Sequence, residues 1–384
     1  MLDRTLEILG RLVAFPTVSA DSNLDLIDYA VDLLEACGAR VETTSDPAGK
    51  KANVFATIGP DEEGGVALSG HTDVVPTEGQ NWSRDPFFLT VESGRAYGRG
   101  TTDMKGFIAC VLAMAPTFAA AALSRPVHVA LTYDEEEGCH GARLLLSELT
   151  RSGRPLPKIV IIGEPTDFGV VVAHKGCYEY TTEITGVERH ASMAAAGAGA
   201  IHAAARFITF LDSLADEMVA RAPDDSPFEP PHTTINVGTI SGGVARNITA
   251  GSAVFDWEIR PVDAGDAAYI HERLGRFVAE ELLPSMRAEF PDAAVSTTVA
   301  GEVDGFWRDP QSPAVELARR LTGNRETMVV SFGTEAGLYQ EKGIAPVVCG
   351  PGSIAQAHKP DEFIEVSQLE RCLSVLEKLI TELA

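Results

Sequence analysis

Short apolar segments that each run into acidic or histidine side chains constrain the fold more than any other feature of this chain. Segments 66–70, 127–133 and 158–163 have the length and the continuous apolar character of fully buried strands. Helical patterns lie between them, at 107–123 and 142–150. Strands that alternate with helices indicate a mostly parallel sheet flanked by helices, so we predict an α/β fold.

The pattern changes after the first 176 residues. Segment 178–186 alternates polar and apolar residues, as a half-exposed antiparallel strand does. Further patterns follow it in the order β-α-β-β-α-β, which is typical of a two-layer, ferredoxin-like α+β domain. A buried-strand pattern then resumes at the motif PVVCGPG. We therefore predict a catalytic domain of residues 1–176 and 301–384, interrupted by a dimerisation or lid domain of residues 177–300.

Charge and composition exclude several classes of partner. The formal net charge of −24 disfavours nucleic acid, whose phosphates such a surface repels. The six cysteines contain no C-x-x-C pair, so we expect reduced thiols. The N-terminal segment carries charges at Asp3, Arg4 and Glu7, unlike a signal peptide. Segment 107–123 falls just short of the usual length of a membrane span and contains Pro116, so we expect it to be a buried helix. We therefore expect a cytoplasmic protein that does not bind a membrane.

Residues that can bind metal follow the predicted strands or precede the apolar helix. They are His71, Asp73, Asp103, Asp134, Glu135, Glu136, Glu137, Glu164 and His358. The carboxyl ends of parallel strands meet at one edge of a sheet, so these side chains should lie together. Carboxylates so close would repel one another unless cations lay between them. Mixed histidine and carboxylate ligands suit zinc, with cobalt or manganese as alternatives.

The ordered set of motifs HTDVVP, GRGTTDMKG, TYDEEEG, GEPT and GPGSIAQAHKPDEF resembles a known family. This is the zinc metallopeptidase and deacylase family that includes aminoacylase, carboxypeptidase G, succinyl-diaminopimelate desuccinylase and acetylornithine deacetylase. The resemblance covers nearly the whole chain. AHKG and FGTEAG are most similar to the acetylornithine branch. The resemblance thus implies hydrolysis of an N-acyl amino acid, with N2-acetyl-L-ornithine as the leading substrate and arginine biosynthesis as the pathway.

The resemblance also implies a ligand set for two divalent metal ions. One ion would be held by His71, Asp103 and Glu164, and the other by Asp103, Glu136 and His358. Asp103 would bridge the two ions, which would share a water molecule and polarise the scissile carbonyl. The family further implies a cis peptide bond directly after the bridging aspartate.

Three more residues receive catalytic roles from the resemblance. Asp73 would accept a hydrogen bond from His71 and fix its tautomer. Glu135 would be the general base, with Glu137 as the competing candidate. His190, in the inserted domain, would stabilise the oxyanion in the active site of a partner subunit, which implies a homodimer.

The resemblance also supplies candidate substrate-binding residues. The resemblance implies that Arg260 binds the α-carboxylate of the substrate, with Asn247 and Thr334 beside it. An ordinary salt bridge at the end of a strand is the alternative for Arg260. The alternatives for the whole protein are a deacylase of acetylcitrulline or succinyl-diaminopimelate, a dipeptidase, a non-catalytic binding or regulatory protein on the same fold, and a homodimer that binds metal for stability alone.

Overall fold

The computed structural model describes residues 1–193 and 199–384. The chain forms two compact units. Unit 1 comprises Met1–Val172, Arg308–Met328 and Thr334–Ala384. Unit 2 comprises Ala173–Trp307 and Val329–Gly333. The second unit is therefore inserted into the first in the order of the chain.

Strands and helices are numbered here in chain order. The strands are β1 (Arg40–Ser45), β2 (Ala52–Ile58), β3 (Val66–His71), β4 (Thr90–Glu92), β5 (Arg95–Tyr97), β6 (Val127–Thr132), β7 (Ile159–Pro165), β8 (Val170–His174), β9 (Cys177–Thr185), β10 (Thr234–Gly242), β11 (Ser252–Arg260), β12 (Ala294–Val303), β13 (Thr327–Val330), β14 (Ala345–Gly350) and β15 (Phe363–Glu365). The α-helices are α1 (Leu2–Ala14), α2 (Leu24–Ala36), α3 (Gly106–Ala120), α4 (His140–Ser152), α5 (Ala200–Ala220), α6 (Ala264–Phe277), α7 (Leu283–Arg287), α8 (Pro313–Thr322), α9 (Ala336–Glu341) and α10 (Val366–Leu383).

The larger sheet has the strand order β1-β2-β6-β3-β7-β14-β8-β13. Its central strands β6, β3, β7 and β14 are parallel, which confirms the predicted α/β architecture. The sheet is nevertheless mixed, because β1, β2 and β8 pair antiparallel with their neighbours. Only residues 46–51 connect β1 to β2, and a connection this short favours an antiparallel pair over a parallel crossover.

Helix α3 is buried against the sheet of unit 1. Together with the turn before it, Thr101–Ala120 is the single helix among the described residues that is long and apolar enough to cross a membrane. Its most apolar window is 78% buried inside the protein, as expected for a core helix. Gly163 on β7 permits the close approach of α3, because a Cβ atom there would lie 2.1 Å from the Phe107 ring. This packing places the helix against the strand that carries Glu164.

Unit 2 contains the predicted order β-α-β-β-α-β, formed by β9, α5, β10, β11, α6 and β12. Its sheet has the order β10-β11-β9-β12, and every pair is antiparallel. Along β11, Phe255 and Trp257 are buried while Asp256 is exposed. Buried and exposed residues alternate in this way when helices cover one face of a sheet. Phe207 of α5 packs edge-on against Phe255, with ring centroids 5.1 Å apart. The predicted two-layer α+β arrangement is thus confirmed.

Candidate active site

Parallel strands bring the predicted acids and histidines of unit 1 to one edge of the larger sheet. Strand β3 ends at His71, and Glu164 is the last residue but one of β7. Glu135 and Glu136 follow β6 by three and four residues. His358 lies in the segment after β14 and has a φ of +61°. Because these strands run in the same direction, their carboxyl ends present these side chains to a common space.

The first group of potential ligands consists of His71, Asp103 and Glu164. One ligand atom from each lies within 4.8 Å of the others. His71 Nε2 is 2.9 Å from Asp103 Oδ1 and 3.8 Å from Glu164 Oε1. All three residues are buried. The group offers one imidazole and two carboxylates, a donor set suited to a zinc-like divalent ion.

The second group consists of Asp103, Glu136 and His358, again within 4.8 Å of one another. His358 Nε2 lies 3.0 Å from Glu136 Oε1 and 3.4 Å from Asp103 Oδ2. Asp103 therefore turns its Oδ1 atom to the first group and its Oδ2 atom to the second. The peptide bond between Asp103 and Met104 is cis, as the family resemblance implied.

The electrostatics of the two groups favour cations. Burial raises the pKa of Glu164 well above its usual value, and it raises the pKa of Glu136 as well. Hydrogen bonds with Asp103 and Glu136 raise the pKa of His358 to about 10. Burial lowers the pKa of His71. Its hydrogen bonds with Asp103 and Asp73 raise the pKa by a larger amount, so the net shift is upward. Burial and mutual repulsion thus favour protonation of these carboxyl groups. Divalent ions would stabilise the ionised carboxylates in place of protons.

Asp73 holds the backbone of the acidic turn after β6. Its Oδ1 and Oδ2 atoms accept hydrogen bonds from the backbone N–H groups of Glu135 and Glu136, at 3.1 and 3.3 Å. Ser19 Oγ also donates to it, at 2.7 Å. His71 Nδ1 is 3.0 Å from the backbone carbonyl of Asp73 but 3.6 Å from its carboxylate. His71 Nδ1 thus lies closer to the main-chain oxygen of Asp73, and the carboxylate is within ion-pair distance.

Glu135 belongs to neither group of ligands among the described residues. Burial raises its pKa well above the usual value. A carboxyl group with a raised pKa is better able to hold a proton and release it again near neutral pH. Glu137, the competing candidate for the base, is exposed to solvent.

The substrate-binding candidates and His190 are not all in one unit. His190 is exposed in unit 2, with its Nδ1 atom 2.7 Å from Ser192 Oγ. The backbone of Asn247 accepts a hydrogen bond from the N–H group next to His190, at 2.8 Å. Arg260 ends β11, and its Nη2 atom is 2.7 Å from Glu258 Oε2. Thr334 lies in unit 1, where it is fully buried and its hydroxyl accepts a bond from the N–H of α9.

Other buried charged side chains lie beside the site, and the sequence analysis gave them no role. Arg99 Nη1 donates to Glu362 Oε2 at 2.8 Å, and both side chains are 1% exposed. Glu335 is also buried and accepts hydrogen bonds from Ser69 and Thr132. All three charged residues lie within quoted motifs, GRGTTDMKG, HKPDEF and FGTEAG. A single sequence cannot distinguish these buried charges from the exposed ones around them.

Solved structures share this fold. A metallo-carboxypeptidase of family M20 from Sulfolobus solfataricus matches with a TM-score of 0.77, at 19% identity and with 98% of each chain covered. A dinuclear metal-binding peptidase of family M20 from Bacillus subtilis matches with a TM-score of 0.65, at 18% identity, over 100% of this chain and 98% of that one. At these identities the likeness concerns the fold.

Sequence relatives are closer. An acetylornithine deacetylase from Myxococcus xanthus is 38% identical over 97% of this chain and 95% of the relative. One from Proteus mirabilis (strain HI4320) is 33% identical over 98% and 95%. The model of peptidase family M20/M25/M40 matches residues 67–382. The chain therefore belongs to peptidase family M20/M25/M40.

Proposed function

We propose that this hydrolase cleaves the amide bond of an N-acyl amino acid and that N2-acetyl-L-ornithine is its substrate, yielding L-ornithine and acetate for arginine biosynthesis. Relatives named acetylornithine deacetylase, at 33–38% identity over nearly the full length, support the reaction class. The observation that carries the proposal is the pair of ligand groups that share Asp103 while Glu135 remains outside both.

The donor atoms fit two divalent metal ions. His71, Asp103 and Glu164 would hold one, and Asp103, Glu136 and His358 the other. When bound, such ions activate a water molecule and polarise the scissile carbonyl. We expect zinc, with cobalt or manganese as alternatives, because imidazole and carboxylate ligands suit all three.

Glu135 performs the proton transfers in this proposal. Its carboxylate takes a proton from the attacking water and then donates it to the nitrogen of the leaving amine, whose bond to the acyl carbon breaks. The hydrogen bonds from the Glu135 and Glu136 N–H groups to Asp73 keep this turn in place. Orientation of the base matters because it must lie within hydrogen-bond reach of both the water and the amine.

Two residues of unit 2 complete the proposed chemistry. His190 donates a hydrogen bond to the carbonyl oxygen as charge develops on it, and does so in the active site of a partner subunit. Arg260 binds the α-carboxylate of the substrate, supported by the planar fork of its guanidinium, with Asn247 and Thr334 as further contacts. The test compares the activity of Arg260→Gln on acyl amino acids with its activity on acylated amines that lack a carboxylate. If the ratio of the two activities equalled that of the wild type, Arg260 would not bind the α-carboxylate.

A homodimer follows from the role of His190. Strand β10 is an edge of the described sheet in unit 2, and Ile240 on it is 54% exposed. Val244, in the turn after β10, is 73% exposed. Edge strands with exposed apolar side chains are prone to pair with another chain.

The proposal also includes a cytoplasmic location, without membrane or nucleic-acid partners. The burial of α3 supports the absence of a membrane partner, and the net charge of −24 supports the absence of a nucleic-acid partner.

A substrate panel tests the proposed reaction. Chelator-stripped protein is assayed with and without zinc on acetylornithine, acetylcitrulline, acetylmethionine, succinyl-diaminopimelate and a dipeptide. We expect turnover that requires metal and prefers acetylornithine. Metal-dependent turnover with another preference would replace the substrate but keep the mechanism. Stoichiometric metal binding without any turnover would favour a non-catalytic protein on this fold.

A further inference from the structure

A buried ion pair lies between two segments that supply ligands to the second group. Arg99 and Glu362 are each 1% exposed, and Arg99 Nη1 is 2.8 Å from Glu362 Oε2. A buried ion pair costs desolvation free energy and is weak support for a stabilising role alone. The other bonds of the two side chains show what the pair holds.

Glu362 binds the backbone that leads into Asp103. Its Oε2 atom accepts a hydrogen bond from the N–H of Gly100, at 2.9 Å. Its Oε1 atom accepts from the N–H groups of Thr102 and Asp103, at 2.9 and 3.2 Å. A single carboxylate therefore fixes the irregular turn that carries the shared ligand.

Arg99 and Gln80 bind the backbone around His358. Arg99 Nη1 donates to the carbonyl of Lys359 at 3.3 Å, and Gln80 Nε2 donates to the carbonyl of His358 at 3.0 Å. Arg99 Nη2 also donates to Gln80 Oε1, at 2.5 Å. The guanidinium lies over the Trp82 ring, 5.0 Å from its centroid, which restricts it further.

The two groups of ligands differ in how they are supported. His71 and Glu164 lie on strands β3 and β7, which are paired directly with each other. His358 lies on a non-helical segment and its side chain is 52% exposed. The separation of Asp103 and His358 thus depends on contacts outside the sheet, among them the hydrogen bonds of Gln80, Arg99 and Glu362.

We propose that Gln80, Arg99 and Glu362 form a clamp that positions Asp103 against His358 and thereby affects the affinity of the second metal site more than that of the first, two of whose ligands lie on strands. This inference rests on the two-metal site of the proposed function. The clamp residues do not touch the metals or the substrate in this proposal, so they are positioning residues. Outer partners of metal ligands commonly change metal affinity by about 10- to 100-fold.

Stepwise cobalt binding tests the clamp. Metal-free protein is titrated with Co²⁺ against a competing chelator, and the visible absorption of the bound ion gives two dissociation constants. Glu362→Gln should raise the second constant by about 10- to 100-fold and raise the first constant by a smaller factor. Glu365→Gln is the matched control, because it removes the carboxylate of the exposed pair with Arg95, 2.9 Å apart, three residues further along the chain. The control should bind both ions like the wild type.

Each outcome supports or contradicts the proposed clamp. If Glu362→Gln is folded by circular dichroism and binds both ions with wild-type constants, the clamp is wrong. If it does not fold because Arg99 remains buried without its partner, Gln80→Leu decides, since Gln80 is only partly buried. That variant must also weaken the second ion selectively, and equal weakening of both ions would contradict the proposal. A wild-type protein that binds one ion only would overturn the two-metal site, and the clamp with it.

Discussion

Asp103 is the residue on which the arrangement of the site depends. It offers one carboxylate oxygen to each group of ligands, 2.9 Å from His71 and 3.4 Å from His358. Burial raises the pKa of Asp103, but hydrogen bonds with His358 and His71 lower it more, so its net pKa lies below the usual range. It is therefore ionised at neutral pH, while Glu135 is held closer to protonation. Neighbouring carboxyls with different proton affinities suit a ligand and a base respectively.

Glu135→Gln should keep the metal content of the wild type and lower kcat by about 100- to 10,000-fold, because the amide cannot accept the proton of water. Steady-state kinetics and metal analysis on the same preparation measure both quantities. Glu137→Gln is the control and should stay near wild-type activity, since Glu137 is exposed. A Glu135→Gln variant with wild-type kcat would sink the assignment of the base.

Asp103→Asn should lose both ions, whereas His358→Ala should lose only one, because only Asp103 belongs to both groups. Metal per chain is measured by atomic emission after gel filtration in metal-free buffer. Two ions retained by Asp103→Asn would show that it does not bridge. Loss of both ions in folded His358→Ala would show that the two sites are not separable.

Parallel strand ends explain how the elements build this site, and they also show how far the sequence could predict it. The apolar runs that became β3, β6 and β7 were recognisable because their residues are almost all apolar. Strand β2 is equally buried but was not predicted. Asn53 and Thr57 interrupt its apolar pattern, and their partners, the backbone of Gly141 and the ring of His128, are distant in the sequence. Tertiary contacts satisfy such polar groups, and a local pattern does not show them.

All five residues of the two groups can be predicted from the sequence, because each lies beside a strand end or in a recognisable motif. Glu362 cannot be predicted in this way, because its role in the fold depends on three backbone N–H groups about 260 positions away. The Asp73 carboxylate lies 3.6 Å from His71 and also binds the backbone of the Glu135 turn, a contact that the motif alone does not show. Motifs thus indicate ligands better than they indicate the hydrogen bonds that hold them.

His128 of β6 makes the stability of unit 1 sensitive to acid. Burial lowers its pKa to about 4, and the nearby Arg40 and Asp61 act in opposite directions. The unfolded side chain has a pKa of about 6.5. Below that pH the unfolded chain binds a proton that the folded chain does not, so this stabilisation is complete above about pH 6.5 and is lost as the pH falls towards 4. The loss between pH 7 and 5 is about 2 kcal/mol.

In zinc-containing buffer, the urea midpoint of His128→Gln should therefore fall less between pH 7 and 5 than that of the wild type. His202→Gln, on the exposed face of α5, is the control and should fall as the wild type does. Equal falls in wild type and His128→Gln would mean that His128 does not titrate in this range.

The proposed catalysis requires a homodimer, because His190 would act in the active site of a partner subunit. An interface with twofold symmetry would give each active site one His190 from the partner. The exposed apolar residues on the edge of the unit 2 sheet, Ile240 among them, suit such an interface.

Mixing inactive variants tests this assembly. Glu135→Gln and His190→Ala should each be impaired, while their mixed dimer has one complete site and should restore activity to about a quarter of the wild type in a random mixture. Subunits are exchanged by co-refolding, and light scattering checks the mass. A mixed dimer without regained activity would contradict the role of His190 in the partner site.

Titration of metal-free protein with zinc, while acetylornithine hydrolysis is measured, shows whether the hydrolase uses two metal ions that share Asp103. We expect negligible activity without zinc and a rate that rises until two equivalents per chain are bound and then stays constant. A rate that is complete at one equivalent, or that is unchanged by removal of the metal, would rule out a catalytic site with two metal ions.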